Sequence, residues 1–278
     1  MKLFKTAFLL TALTLLLLFV GETWGGPNGM TLALGFAILM NGTAYFFSDK
    51  IALMSSGAQP ISREQSPRLY AVMERLAAKA NLPVPKLYMI PQAAPNAFAT
   101  GRNPSHASVA VTQGLMELMN DDELEGVIAH ELSHVRNYDI LTSSIAATIA
   151  GAVTWVARMG FWFGGGDDRE RGGGIVGLLM LILAPLGAML LQLGISRQRE
   201  YQADESGAKM VGHPYGLISA LGKLGAYNKR IPMDISPSTS ALCIVAPLAP
   251  RKFLTGLFST HPPLEDRIAR LQSMTITR

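Results

Sequence analysis

The chain has 278 residues, of which 49% are apolar and only 16% are charged, against about 25% charged in an average soluble domain. This composition excludes a disordered chain and argues against an ordinary soluble protein, so a chain embedded in a lipid bilayer is the first interpretation to test. The net charge of +4 lacks the clustering of a nucleic-acid-binding surface, and the single cysteine excludes an intrachain disulfide and a cysteine-based metal site.

The first 48 residues contain two apolar stretches that predict a transmembrane hairpin. Thr6–Gly21 carries no charge, and Met30–Phe47 is long enough to span roughly 27 Å as a helix. A cleaved signal peptide is the alternative for the first stretch, but its apolar region would usually be about 7–15 residues long and end in a small-residue cleavage site. Lysines and arginines flank the hairpin and are absent from the loop at 21–29, so both ends are expected in the cytosol.

Residues 49–139 have the patterning of a folded polar block. Proline favours the first position of a helix, and apolar residues then recur at helical spacing. Asparagine and aspartate favour the cap position that precedes a helix. The predicted elements are a helix from Ser66-Pro67 to Asn81, strands at Lys86–Ile90 and Ala107–Thr112, and a helix from Asn120 or Asp121 to about Tyr138.

A second hydrophobic hairpin is predicted at 140–196, where Ile140–Phe163 and Gly174–Ser196 flank a charged, glycine-rich loop. A pair of buried helices in a globular domain is the alternative. The second polar block, 197–278, is predicted to contain helices at Tyr201–Val211, Tyr215–Tyr227 and Pro263–Met274 and a loop at Arg230–Pro250. The chain is therefore divided at 1–48, 49–139, 140–196 and 197–278, and the predicted fold class is α+β, mainly α.

The motif His130-Glu131-Leu132-Ser133-His134 lies on the helix predicted to begin near Asp121. Residues four apart face the same way on a helix, so both imidazoles can bind one zinc ion. Glu131 lies about 100° round the helix and can take a proton from the attacking water and deliver it to the leaving amine. The alternative is two histidines and a glutamate solvated on a helix face.

A catalytic zinc needs a third protein ligand and an open fourth position. The chain has three other histidines, His106, His213 and His261. None of them follows the motif at a short spacing, so an acid is expected. Glu200 and Asp204 are four residues apart, and Glu200 can bind zinc while Asp204 orients a ligand imidazole. The residues alone leave open whether Asp204 or Glu205 exchanges roles with Glu200, or whether Arg199 and Glu200 are ordinary surface charges.

The HELSH motif, followed by a hydrophobic hairpin and then SRQREYQAD at 196–204, resembles the HtpX family of membrane zinc endopeptidases. That family belongs to a wider clan that includes the CAAX prenyl proteases. The segments PNAFATG at 95–101 and THPPLEDRI at 260–268 agree with it. The resemblance implies a membrane-anchored, zincin-like metalloprotease domain with two transmembrane hairpins. It also implies that Glu200 is the third ligand of one zinc per subunit and that Asp204 is the aspartate of the same motif.

The same resemblance implies a multi-pass protein of the bacterial inner membrane whose protease domain faces the cytoplasm. It would cut membrane or misfolded proteins in quality control under stress, so protein substrates and the lipid bilayer are the expected partners. Neither nucleic acid nor nucleotide is expected, since no phosphate-binding glycine fingerprint joins a strand to a helix. By similarity to related proteases, Asn96 borders a cleft where an edge strand holds the peptide, and His261 hydrogen-bonds the oxyanion. A local turn role is the alternative for each.

Three other functions are compatible with parts of the sequence. A prenyl-protein-type peptidase would need a chamber of more than four membrane helices, for which the chain is short. A non-catalytic membrane scaffold could keep zinc for structure, but structural zinc sites are normally closed by four protein ligands. A channel is poorly supported, because Arg158 is the only charge in the apolar segments.

Overall fold

The computed structural model of the chain describes residues 2–148, 197–230, 244 and 262–275. The second predicted hairpin beyond residue 148, most of the loop predicted at Arg230–Pro250, and His261 lie outside these residues. In the described part the molecule is mainly helical with one small mixed sheet, which confirms the predicted α+β class.

Helix α1 (Lys2–Ser55) is a hairpin, because the backbone reverses at Gly26, where φ is 57° and ψ is −147°. That φ lies in the left-handed region, which glycine adopts without a steric penalty. Asn41 in the returning helix donates to Thr14 Oγ1 at 2.8 Å and to the Leu10 carbonyl at 3.3 Å, which joins the two arms. Both arms are long and apolar enough to cross a membrane, as predicted.

The hairpin is attached to the rest of the molecule at both of its ends. Near its start, the Thr6 and Thr142 hydroxyl oxygens are 3.0 Å apart, which joins it to the helical residues 139–148. Its last turns, which extend to Ser55 rather than ending near residue 48, pack against the sheet through Ala52 and Leu53. The helical hairpin therefore ends directly on the polar block.

The sheet has four strands in the order β1-β2-β4-β3: β1 (Gln59–Pro60), β2 (Lys86–Ile90), β3 (Ala97–Gly101) and β4 (Ala107–Thr112). Strands β2 and β4 have the predicted bounds and pair in parallel, while β1 and β3 are antiparallel to their neighbours. Strand β3 was not predicted, because its alanines, threonine and glycine form a weak strand signal. It lies at the edge of the sheet, and β4 lies inside.

The helices that follow α1 surround one core, which α4 crosses. They are α2 (Pro67–Ala80), α3 (Gln113–Leu118), α4 (Asp121–Arg136), α5 (Arg197–Val211), α6 (Tyr215–Arg230) and α7 (Leu264–Gln272). Helix α4 packs against α2, β3, α5 and α6. The five helices predicted in 49–139 and 197–278 are confirmed to within about four residues at each end, α5 beginning four residues before Tyr201, and α3 was not predicted.

Helix α4 begins with a reciprocal hydrogen-bonded cap. The sequence left open whether Asn120 or Asp121 is the cap residue, and in the structure it is Asn120. Its Oδ1 accepts from the Glu123 N–H at 2.9 Å, and Glu123 Oε2 accepts from the Asn120 N–H at 2.9 Å. Glu123 also accepts from Ser219 at 2.6 Å and Lys223 at 2.7 Å. The cap therefore joins α4 to α6 as well as starting the helix.

Replacing Asn120 by alanine should lower the stability by about 1 kcal/mol, because the Glu123 N–H loses the side-chain oxygen that caps it. We expect a fall in the thermal unfolding midpoint of about 2–4 °C, measured in detergent. Asn120→Asp, which caps equally well, should keep the parent's midpoint. An unchanged midpoint for Asn120→Ala would mean that the cap contributes nothing to the stability.

Candidate metal centre

Helix α4 presents His130 and His134 on the same face, and α5 brings Glu200 against them. The two Nε2 atoms are 3.2 Å apart. The Glu200 carboxylate reaches both rings, with Oε1 at 3.6 Å from His134 Nε2 and Oε2 at 3.7 Å from His130 Nε2. Three ligand atoms from two helices thus converge within 4.8 Å of one another.

These separations fit one tetrahedral ion. Zinc bonds of about 2.0–2.1 Å at tetrahedral angles separate neighbouring ligand atoms by about 3.4 Å, close to the distance between the two Nε2 atoms and to the distance from each of them to its nearer Glu200 oxygen. Two imidazoles and one carboxylate are also a donor set of catalytic zinc sites, which keep a fourth position for water or substrate. His130, His134 and Glu200 can therefore hold a metal ion.

The charges around the three ligands favour a divalent cation. Four buried carboxylates lie in this part of the described structure, on Glu131, Asp139, Glu200 and Asp204. Two guanidinium groups face them, from Arg267 and Arg199. With both histidines neutral, as metal ligands are, and all four carboxylates ionised, four negative groups against two positive ones leave a net charge of −2, and buried charge needs compensation. A doubly charged ion between the ligands makes the cluster neutral.

An aspartate and an arginine contact the His130 ring on the side opposite its Nε2. Its Nδ1 lies 2.9 Å from Asp204 Oδ1, and Arg267 binds the same carboxylate through Nε at 2.8 Å and Nη2 at 2.6 Å. An Nδ1–H that donates to Asp204 leaves the Nε2 lone pair directed at Glu200 and His134, which is the orientation that a ligand imidazole needs. Arg267 is fully buried, and its Nη1 also donates to the Ile244 carbonyl at 2.8 Å.

The pKa values in this cluster follow from burial and from these partners. Burial alone would lower the pKa of His130, but the hydrogen bonds to Asp204 and Glu200 outweigh it and raise the pKa to about 9. Burial would raise the pKa of Asp204, but the ion pair and hydrogen bonds with Arg267 hold it below its usual value. Carboxylates that favour a protonated imidazole also favour a metal cation in the same place.

Glu131 lies beside the ligands rather than among them. Its side chain is 3% exposed, and burial raises its pKa, with a further contribution from the Glu200 charge, while His130 and His134 act in the opposite direction. The backbone of Ala99 in β3 also hydrogen-bonds the Glu131 carboxylate. The glutamate is thus placed between the two histidines and the edge strand.

Close approach of α5 to α4 depends on Gly207. A Cβ at this position would lie 3.0 Å from the His130 backbone nitrogen and 3.1 Å from the Ala129 carbonyl carbon. Both neighbours are helix backbone and cannot rotate away. The absence of a side chain at Gly207 therefore lets α5 come near enough for Glu200 to reach both histidines.

The remaining predicted site residues have separate positions. Asn96 precedes β3 and bonds β4, with its N–H donating to Thr112 Oγ1 at 2.8 Å, while its Oδ1 accepts from the Ile244 N–H at 3.3 Å. His261 lies outside the described residues. Glu205, which the sequence left as an alternative ligand, is exposed and pairs with Lys209, so it points away from the histidines.

Three residues around the site were missed by the sequence analysis: Arg267, Asp139 and Arg199. Arg267 had a readable signal, because it stands between Leu264 and Leu271 on the apolar stripe of an amphipathic helix, where a charge must be buried and paired. Asp139 had none, because its position depends on how the chain turns after α4. Arg199 is 12% exposed in its side chain, so it is not a surface charge.

The chain is similar to known peptidases. A family model described as Peptidase family M48 matches residues 63–275. A "Protease HtpX homolog" of Desulfatibacillum aliphaticivorans is 56% identical, covering 96% of this chain and 88% of its own, and one of Syntrophobacter fumaroxidans is 53% identical, covering 98% and 99%. These relatives confirm the resemblance drawn from HELSH and REYQAD.

A solved structure shares the fold. The crystal structure of S. mikatae Ste24p superposes with a TM-score of 0.54 at 20% sequence identity, and the match covers 97% of this chain. The chain spans only 65% of the length of the Ste24p chain. At that identity the likeness concerns the fold alone.

Proposed function

The chain belongs to peptidase family M48 and is a metallopeptidase, and on that premise we propose that it is a zinc endopeptidase of the bacterial inner membrane that cuts membrane or misfolded proteins. The observation that carries this proposal is the convergence of His130, His134 and Glu200, with Glu131 buried beside them. The relatives named "Protease HtpX homolog" support a protease, and a role in membrane protein quality control under stress is what the family resemblance implies.

The residues divide the reaction between binding and proton transfer. His130, His134 and Glu200 would hold one zinc per subunit, and Asp204 would fix the ring of His130 through Nδ1. When bound, zinc supplies Lewis-acid polarisation of the peptide carbonyl and a lower pKa for the attacking water. Glu131 takes a proton from that water and returns it to the leaving nitrogen. Its raised pKa suits a group that must do both near neutral pH.

The edge strand β3 offers a place for the substrate. Hydrogen-bonded and non-bonded pairs alternate in an antiparallel ladder, and the Thr112 N–H donates to the Asn96 carbonyl at 2.9 Å. Ala97, Ala99 and Gly101 therefore turn their backbone groups away from β4, towards the outer side of this buried strand, where the backbone of Ala99 bonds Glu131. A peptide that pairs there as an added strand would pass beside Glu131. In this arrangement Asn96 borders the cleft, because it fixes the start of β3. The resemblance to the wider clan implies that His261 hydrogen-bonds the oxyanion.

The membrane arrangement supports cutting close to the bilayer. The basic residues that flank the first hairpin support a cytoplasmic position for both of its ends and for the protease domain. That domain would consist of 49–139 and 197–278, with 140–196 inserted as a second hairpin. Because α1 ends against the sheet that carries the edge strand, the site would lie near the cytoplasmic face of the membrane.

Zinc dependence is the direct test of this function. Purified in detergent and stripped by a chelator, the protein should not cleave an unfolded test protein, and Zn²⁺ added at one equivalent should restore cleavage where Mg²⁺ does not. Cleavage that persists in the chelator would contradict a metallopeptidase. Zinc binding without cleavage of any soluble or membrane substrate would favour the scaffold instead.

A further inference from the structure

His134, the second imidazole of the cluster, also has a carboxylate behind it. Its Nδ1 lies 3.5 Å from Asp139 Oδ2. The Asp139 side chain is only 4% exposed, and Arg199 Nη1 lies 3.8 Å from its other oxygen, Oδ1. A buried carboxylate needs such partners. The nitrogen that faces Asp139 is the one opposite Nε2, which points at His130 and Glu200.

This contact depends on a break in the helix. Asp139 follows His134 by five residues, and on a continuous helix it would lie about 140° away around the axis. Helix α4 ends at Arg136, and Tyr138 adopts a φ of 59°, in the left-handed region that a tyrosine rarely occupies. The helical residues 139–148 begin directly after this turn. The turn brings Asp139 back against the His134 ring.

The arrangement around His134 repeats the one around His130. His130 contacts Asp204, which is paired with Arg267, and His134 contacts Asp139, which is paired with Arg199. In each case an aspartate faces Nδ1 and an arginine pairs with the aspartate, although Arg267 Nη2 also lies 3.4 Å from His130 Nδ1. The second set has longer distances and is nearer to solvent, so its effect should be the smaller.

We propose that Asp139, held by Arg199, is a positioning residue for His134. An Nδ1–H that donates to Asp139 fixes the tautomer and the ring angle, so that the Nε2 lone pair points at the metal position. Asp139 touches neither substrate nor metal and acts only through the imidazole. This inference rests on the proposed function, since it requires His134 to be a metal ligand.

The test measures metal affinity in the full chain, apart from catalysis. Apo protein in detergent is titrated with Zn²⁺ in competition with a chromophoric chelator, and the Co²⁺-loaded protein is examined by visible absorption. Asp139→Asn, which keeps the shape, and Asp139→Ala should each weaken zinc affinity by about 10–100-fold and alter the Co²⁺ absorption bands. Asp139→Glu, which keeps the carboxylate, should recover part of that loss.

Asp122→Asn is the matched control, because Asp122 is an exposed aspartate in the first turn of α4. It should bind zinc as the parent does. If the parent binds zinc and cleaves while Asp139→Asn and Asp139→Ala bind within about twofold of it, the assignment to Asp139 is wrong and the proposed function stands. If the parent itself binds no zinc, both are wrong.

Discussion

Replacing Glu131 by glutamine is expected to abolish peptide cleavage while leaving the metal in place. The amide has the same shape as the carboxylate but cannot accept the proton of the attacking water, and loss of a general base typically lowers the rate by about 10²–10⁴-fold. The three proposed metal ligands are untouched, so zinc content by elemental analysis should match the parent. The measurement is kcat on an unfolded test protein, and KM should change little.

Glu125→Gln provides the control on the same helix. Glu125 pairs with Arg75 at 2.9 Å, away from the metal ligands, so its loss should leave kcat unchanged. A Glu131→Gln protein that retains zinc and cleaves within about tenfold of the parent would contradict the role of Glu131 as the base. Loss of zinc from that variant would instead show that Glu131 helps to hold the ion.

Replacing Arg267 by methionine should give the largest loss of stability. The apolar side chain fills similar space, but it leaves the buried Asp204 carboxylate without its bidentate partner and the Ile244 carbonyl without its donor. Removing one member of a buried ion pair lowers the free energy of unfolding by about 3–5 kcal/mol. The thermal unfolding midpoint in detergent should therefore fall by at least about 6 °C.

Two further variants separate the reasons for this loss. Arg267→Lys keeps the charge but cannot bind both carboxylate oxygens, so its midpoint should lie between those of the parent and Arg267→Met. Arg270→Met removes an exposed arginine one turn away on α7, which stacks on Tyr201 at 3.8 Å, and should lower the stability by about 1 kcal/mol or less. Equal midpoints for Arg267→Met and Arg270→Met would mean that the Asp204 pair is not stabilising.

The sequence was sufficient to predict those parts of the fold and of the site that depend on the spacing of residues along a single helix or strand. The histidines of the motif are four apart on a strongly capped helix, so their common face could be read directly. The choice of Glu200 over Glu205 needed either the family resemblance or the packing of α5 on α4. Edge strand β3 was missed because its pairing with β4, rather than its residue types, makes it a strand.

Contacts between distant parts of the chain could not be predicted in the same way. Asp139 reaches His134 only because the backbone turns at Tyr138, and no periodicity encodes a left-handed tyrosine. Arg199 looked like a surface charge because nothing in the sequence says that α5 lies against Asp139. Arg267 is the exception, since its place on an apolar stripe indicated burial.

The contact between Arg267 and His130 joins residues 137 positions apart, and this separation affects the order of events during synthesis. At roughly 5–20 residues per second, the ribosome needs on the order of 10 s after making the first histidine before it makes this arginine. Until Arg267 has been made, no guanidinium group pairs with Asp204, and the His130 imidazole that Asp204 orients lacks this second partner. A nascent or truncated chain that stops before α7 would carry the whole HELSH motif and still lack a properly held ligand. The surroundings of His130 are therefore complete only after α7 has been made and has packed against α5.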